Sequence, residues 1–293
     1  MNVIAIPEQN VTLVAFHGDR KPDQLNKLLV DTLRQIKMAL ESIGLPSTQF
    51  SSVFKPYGMG HMHATLLGLE LIRIGDAIFT ANFLNNNGVL REMQPALLLD
   101  FCRSIADSRN PLFTIRFGGF RKAHCACTGF DLYEWDCPTG KSEFHAFNRS
   151  AYEGTFYAFS PGAVMLTGWP IRLNDHTSFT RQVYGFRRAA ENCGFLDKYH
   201  SSEKPYWKDD DFYLRLGTLT RFPSNKLDSL LEKVRDFLSS MPPLCVDVRI
   251  EHVSFVYYRE ANLKDIIREI PLVDVLDDPT LIKSLFVDWA KDH

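Results

Sequence analysis

The stretch His61-Met62-His63-Ala64-Thr65-Leu66-Leu67-Gly68-Leu69 decides how this chain is read. It follows a loop ending in Gly58-Met59-Gly60 and predicts a strand over 61–69. In a strand, residues two apart share a face and lie about 7 Å from each other. His63 and Thr65 are therefore expected to face one way, with Ala64 and Leu66 turned into the core. Working outwards, the β-branched and apolar run VTLVAFH predicts a strand over 11–17. A turn over 19–23 follows, with Pro22 suited to a first helical position. Leu25, Leu28, Leu29, Leu33, Ile36, Leu40 and Ile43 then recur at helical spacing, and Gly44 and Pro46 stop the helix.

The alternation continues with a helix over 91–106, broken at Asn110-Pro111, and a strand over 112–120 that ends in Gly118-Gly119. A β-rich middle occupies 127–134, 153–159 and 163–169. In the second half, strands are predicted over 164–168 and 212–220, and a long one over 245–258. Helices are predicted over 179–192, 227–238, 263–270 and 279–290, the last behind the capping residues Asp277-Asp278. The order strand–helix–strand–helix–strand thus occurs twice, starting near Val11 and near Val164, with no linker between the copies. The expected fold is α+β: one domain over 1–293, with halves near 1–160 and 161–293. Two pseudo-symmetric antiparallel-type sheets would face a central groove in this bilobal arrangement, with helices on the outer faces.

Composition narrows the function classes. Of 293 residues, 45% are hydrophobic and 23% charged, which suits a chain with a substantial core. A formal charge of −2 offers no basic field for long nucleic acid, while a nucleotide or an RNA end needs only a local pocket. No apolar run approaches the ~18 residues of a membrane helix. Met1 to Asn10 lacks the pattern of a secretory signal, so a cytoplasmic protein with reduced thiols is expected. The cluster His124-Cys125-Ala126-Cys127, with Cys137 and His145 downstream, has C-x-C spacing. Structural zinc sites usually use C-x2-C, so no metal site and no cofactor is expected.

An imidazole moves protons near neutral pH, and a hydroxyl beside it can donate to a phosphate oxygen. The pair His63/Thr65 therefore suits a phosphate ester, with His as acid or base and Thr as orienter. His-x-Ser recurs at His176/Ser178, His200/Ser202 and His252/Ser254. His176 lies in a turn sequence and His200 in a polar loop; only His252-Val253-Ser254-Phe255-Val256 matches the first motif as strand sequence.

With these motifs the chain resembles the 2H phosphoesterase superfamily, which includes the 2′-5′ RNA ligase and cyclic phosphodiesterase group. That family carries one H-x-[ST]-hydrophobic motif per lobe around a central groove. The resemblance implies a metal-independent phosphodiesterase for small nucleotides or RNA ends, such as 2′,3′-cyclic phosphates or 2′-5′ linkages. One histidine of the pair His63/His252 would activate the nucleophile and the other would protonate the leaving oxygen, while Thr65 and Ser254 hold the phosphate. The chain departs from the pattern in one respect. The offset from Val11 to His63, counted again from Val164, lands at Leu216 within Phe212-Tyr213-Leu214-Arg215-Leu216-Gly217, where there is no histidine. Either the second copy opens later, at Phe212, or the second histidine, His252, has moved to an adjacent strand, or the second motif has decayed, with Tyr213 or Arg215 in its place. The alternative function is accordingly a non-catalytic nucleotide-binding or interaction protein.

Supporting residues follow from strand faces. Tyr258 would share a face with His252 and Ser254, and could line the groove or stack on a base. Arg116 and Arg215 lie mid-strand as candidate phosphate ligands or paired structural charges, and His61 is expected on the strand face of His63. A metal-dependent hydrolase built on His61, His63 and the cysteine region is the remaining competing reading.

Overall fold

The computed structural model describes residues 10–74, 77–80, 89–106, 111–120, 151–172, 175–195, 210–259, 263 and 265–287. The first strand, β1, runs Asn10–Ala15. Its alternation sends Val11, Leu13 and Ala15 into the main core, while Val14 joins a small cluster with Val256 and Leu263. Phe16 takes a left-handed φ of 64° and ends the strand. The helix Asp23–Ser42 opens behind Pro22 and buries Leu25, Leu28, Leu29, Ile36 and Leu40 in the main core. Gly44, at φ 77°, lies just past its end.

The other strands are β2 (Phe54–Pro56), β3 (Ala64–Ile74), β4 (Ala77–Thr80), β5 (Phe113–Phe117), β6 (Phe156–Ala158), β7 (Gly162–Arg172) and β8 (Asp175–Phe179). They continue with β9 (Phe212–Leu219), β10 (Leu244–Val248), β11 (Val253–Tyr258) and β12 (Ile266–Pro271). All belong to one sheet in the order β10-β5-β7-β9-β3-β1-β11-β12, with β2, β4, β6 and β8 attached at its sides. The expected α+β class with antiparallel pairing holds. In place of two separate sheets, hydrogen bonding runs through both halves, which meet at the pair Ala64/Leu214.

Register gives the internal repeat a physical basis. In β1 and β3, Val14 pairs with Thr65 and Ala15 with Ala64, and a bulge falls between Leu13 and Val14. In β7 and β9, Met165 pairs with Arg215 and Leu166 with Leu214, and a bulge falls between Val164 and Met165. The two bulges match residue for residue: Leu66 is the extra residue in one, Leu216 in the other. Val164 therefore corresponds to Leu13, and the counterpart of His63-x-Thr65 is Tyr213-x-Arg215. The sheet halves also exchange strands. β5, from the first half of the chain, pairs with β7 and β10, while β11, from the second half, pairs with β1.

Several expected elements change. The segment predicted as a helix over 263–270 forms β12 instead. Ile266, Ile267 and Ile270 suit strand as well as helix, and pairing with β11 decides between them. The long strand over 245–258 is divided by a one-turn 3-10 helix, Ile250–His252. The helix predicted from 91 starts at Pro95, where a missing N–H costs nothing. The strand predicted from 61 starts at Ala64, after the turn Met59–His61. The strand predicted over 127–134 lies outside the described residues. Among the described residues no helix is long and apolar enough to cross a membrane.

Candidate active site

Antiparallel pairing of β1 with β3 brings the residues that leave β1 beside those that enter β3. A backbone hydrogen bond from Gly18 N to Gly60 O, 2.9 Å, ties the two loops together. Gly18 has φ 60°, a conformation that favours glycine. The result is a cluster of three imidazoles. The His17 ring lies 5.9 Å from that of His63 and 6.3 Å from that of His61, centroid to centroid.

Two of these rings are held by their Nδ1 atoms. His17 Nδ1 is 2.8 Å from Glu269 Oε2 on β12, and Arg20 Nε donates to the other carboxylate oxygen at 3.3 Å. His63 Nδ1 is 2.7 Å from the carbonyl oxygen of His61. Both partners are acceptors, so each ring donates from Nδ1 and leaves Nε2 to accept a proton when the ring is neutral, or to donate one when it is doubly protonated. His17 is almost wholly buried, and its Nε2 has no hydrogen-bond partner. Such an orphan nitrogen is costly unless something completes it.

The charges around the cluster oppose one another. The hydrogen bond from His17 is the largest influence on the Glu269 carboxyl and holds it at about 2, with Arg20 adding to the effect. The Ser254 hydroxyl is fully buried and lies toward the same carboxylate without closing a full hydrogen bond. Lys21 is buried just before the long helix, with Nζ donating to Gly18 O at 2.8 Å. Burial pulls its ammonium down to about 8, against the pull of Asp19 and Glu269. His63 is half-buried, and loss of solvent pushes its imidazole well below the ordinary range. The nearby His17, Lys21 and His61 push the same way, against the hydrogen bond to His61 O. His63 is thus set up as a neutral ring beside a cation.

On the other side of His63 lies the junction of the sheet halves. With Ala64 opposite Leu214, the antiparallel register sets His63 against Arg215 and Thr65 against Tyr213, all four on one face. Burial alternates accordingly: Phe212, Leu214 and Leu216 are buried, while Tyr213 and Arg215 are half-buried. Arg215 stacks its guanidinium over the Tyr57 ring at 5.4 Å. Tyr57 is brought there by β2, whose pairing with β9 continues as a hydrogen bond from Tyr57 N to Leu216 O. Close approach of β2 depends on Gly217, where a Cβ would stand 2.4 Å from Lys55 O.

The expected site residues separate into two groups. His63, Thr65, Tyr213 and Arg215 flank the pair Ala64/Leu214 at the junction of the two sheet halves. His252 lies beside the end of β1 on the opposite flank from His63, with Phe16 N bonded to its carbonyl. Its imidazole turns back on its own turn: Nδ1 accepts from Arg249 N at 3.2 Å, and the ring lies 5.3 Å from that of Phe16. Among the described residues no hydrogen bond, ion pair or ring contact joins His252 to His63. Burial lowers the His252 imidazole's affinity for protons, while Glu251 opposes this. Ser254 stands beside Val14 on the side away from Thr65, backing Glu269 rather than meeting solvent. Tyr258 packs on the Val14–Val256–Leu263 cluster. Arg116 is in β5, where it stacks on Phe120 at 4.5 Å and donates to Gly119 O at 3.1 Å.

His17, Lys21 and Glu269 were not among the expected site residues. The string His17-Gly18-Asp19-Arg20-Lys21 leaves the end of β1 that an antiparallel neighbour carrying His63 must enter, so pairing β1 with β3 would have pointed to it. Glu269 was hidden by the helix expected there. Among the described residues no group of three or more His, Cys, Asp or Glu is arranged to hold a metal ion. Cys125, Cys127, Cys137 and His145 lie outside the described residues. No protein-family model matches the chain, and no curated protein or solved structure matches it significantly.

Proposed function

We propose that the chain is a metal-independent phosphodiesterase for small nucleotides or RNA ends, in a bilobal arrangement of the 2H phosphoesterase type. The observation that carries this reading is the His17/His63 pair. Two imidazoles lie 5.9 Å apart, each held through Nδ1, one against a carboxylate and the other beside a lysine. Two imidazoles in unlike surroundings can divide the work of acid and base. His63, kept neutral, takes a proton from water at Nε2 as the water oxygen bonds to phosphorus. The bond from phosphorus to a ribose oxygen breaks, and His17, its extra charge offset by Glu269, returns a proton to that oxygen. A 2′,3′-cyclic phosphate then becomes a phosphate monoester and a free hydroxyl. Lys21 offsets charge on the phosphoryl oxygens, and Thr65 donates to one of them. His17 takes the part that the resemblance gives to His252. The substrate would be a small nucleotide or RNA end in a cytoplasmic setting.

The test is hydrolysis of adenosine 2′,3′-cyclic phosphate by the full chain in excess EDTA. Turnover that His63→Ala removes is the expected result; turnover lost in EDTA alone would sink the metal-independent route. The second reading, a nucleotide-binding protein without turnover, is favoured by Tyr213-x-Arg215 at the place of the second motif. It predicts binding of the same compound with no product formed.

A further inference from the structure

Arg215 and Tyr57 form a polar pair that the proposed acid–base chemistry does not use. Among the described residues Arg215 makes no ion pair and no hydrogen bond, and its Nε is shielded from solvent. The Tyr57 hydroxyl is also shielded and unbonded. Burial raises the Tyr57 phenol above its ordinary value, with Arg215 opposing. The hydroxyl therefore remains a donor at neutral pH. A guanidinium fork and a phenol O–H with no acceptor between them are donors in need of an anion.

Their position makes the anion specific. Continued one residue beyond Ala64/Leu214, the antiparallel register sets Arg215 opposite His63, whereas Lys21 and Arg20 lie around His17, which follows the other neighbour of β3. The face thus carries two separate cationic points with His63 between them. A single phosphodiester occupies the side of His17 and Lys21. The second point is left for another phosphate on the same ligand, and a guanidinium suits its planar, bidentate recognition.

We infer that Arg215 and Tyr57 form a subsite for a second, terminal phosphate, so that the preferred ligand is a phosphodiester also bearing a phosphomonoester. This rests on the reading of the His63 face as a phosphodiester site, and the experiment separates the two. Affinities of the full chain are measured by calorimetry for adenosine 2′,3′-cyclic phosphate with and without a 5′-phosphate. Wild-type protein should bind the 5′-phosphorylated compound at least ten times more tightly. Arg215→Ala should bring that ratio close to one, and Arg215→Lys and Tyr57→Phe should lower it less. A ratio near one in the wild type, or a ratio unchanged by Arg215→Ala, overturns the subsite. Circular dichroism and thermal melting of each variant confirm that it is folded. If neither compound binds, the subsite fails together with the reading it rests on. Binding without turnover leaves the subsite in place and removes only the phosphodiesterase.

Discussion

β3 and β9 are the same element used twice, and they carry different chemistry. Each pairs antiparallel with the strand that opens its half, each has a bulge at the matching register, and each buries alternate apolar residues in the main core. At the two outward positions one has His63 and Thr65, the other Tyr213 and Arg215. The first pair can exchange a proton and donate a hydrogen bond. The second has a fixed cation and a phenol, which hold an anion but move no proton near neutral pH. In the proposed mechanism the proton-transfer partner for His63 is therefore His17, from the loop leaving β1, whose ring lies 5.9 Å away. Backbone symmetry persists while side-chain chemistry diverges, because pairing constrains the inward residues far more tightly than the outward ones.

The largest test of this difference is to remove one side chain from each strand. His63→Ala should lower kcat by about 10²–10⁴, the usual range for a positioned acid or base. Tyr213→Phe should change kcat by only a few-fold, as read in the same cyclic phosphate assay. Equal losses would make the two strands catalytic equivalents. Next comes Glu269→Gln, which keeps shape but removes the carboxylate from His17. It should lower kcat by roughly ten- to a hundred-fold, of the order of a lost charged hydrogen bond, and move the basic limb of the pH–rate profile, which reports the acid His17, to lower pH. Merely structural damage would leave that profile in place.

Gly217→Ala tests how β9 holds Tyr57. With Lys55 O 2.4 Å from the new Cβ, β2 must move, at a cost of about 1–3 kcal/mol read by urea unfolding. The same change in Gly185, inside the helix Gln182–Asn192 with open space around it, should instead stabilise the fold by roughly 0.5–1 kcal/mol.

Acid should weaken the His63 side of the molecule. The His63 imidazole binds protons less readily in the folded chain than at its ordinary 6.5. The unfolded chain therefore takes up more protons below about 6.5, and stability falls as pH falls. Glu269 acts in the same direction at lower pH. Its folded value of about 2 stabilises the fold above 4.5, and this contribution is lost as pH drops from there towards 2. Urea midpoints at pH 7.5 and 5.5 should thus differ less in His63→Asn than in the wild type. The smallest effect is expected from His252→Ala, which removes a local cap worth about 0.5–1 kcal/mol and leaves kcat nearly unchanged. A loss of turnover comparable to that of His63→Ala would return His252 to the active site.

Much of this was legible in the sequence. The strand–helix alternation, the helix Asp23–Ser42 and the shared face of His63 and Thr65 follow from local periodicity, which the fold obeys. Even the displacement of His252 by one strand was visible as an offset. Its cause, the exchange of β5 and β11 between sheet halves, depends on long-range pairing and leaves no local signal. Glu269 was missed for a related reason: isoleucines spaced for either helix or strand are settled by the neighbour they meet, here β11. His17 and Lys21 have no motif at all. They acquire a role only when the loop after β1 is pinned to Gly60.

The strand exchange also orders events during synthesis on the ribosome. When the first half of the chain has emerged, β1 has β3 on one side and an open edge on the other, since β11 and β12 follow all the other strands in chain order. Until then His17 has no carboxylate partner, because Glu269 has yet to be translated. A nascent or truncated chain that has already paired β1 with β3 thus displays His63 and Thr65 before His17 has gained its carboxylate partner. The contact between His17 and Glu269 thus joins residues far apart in the order of synthesis.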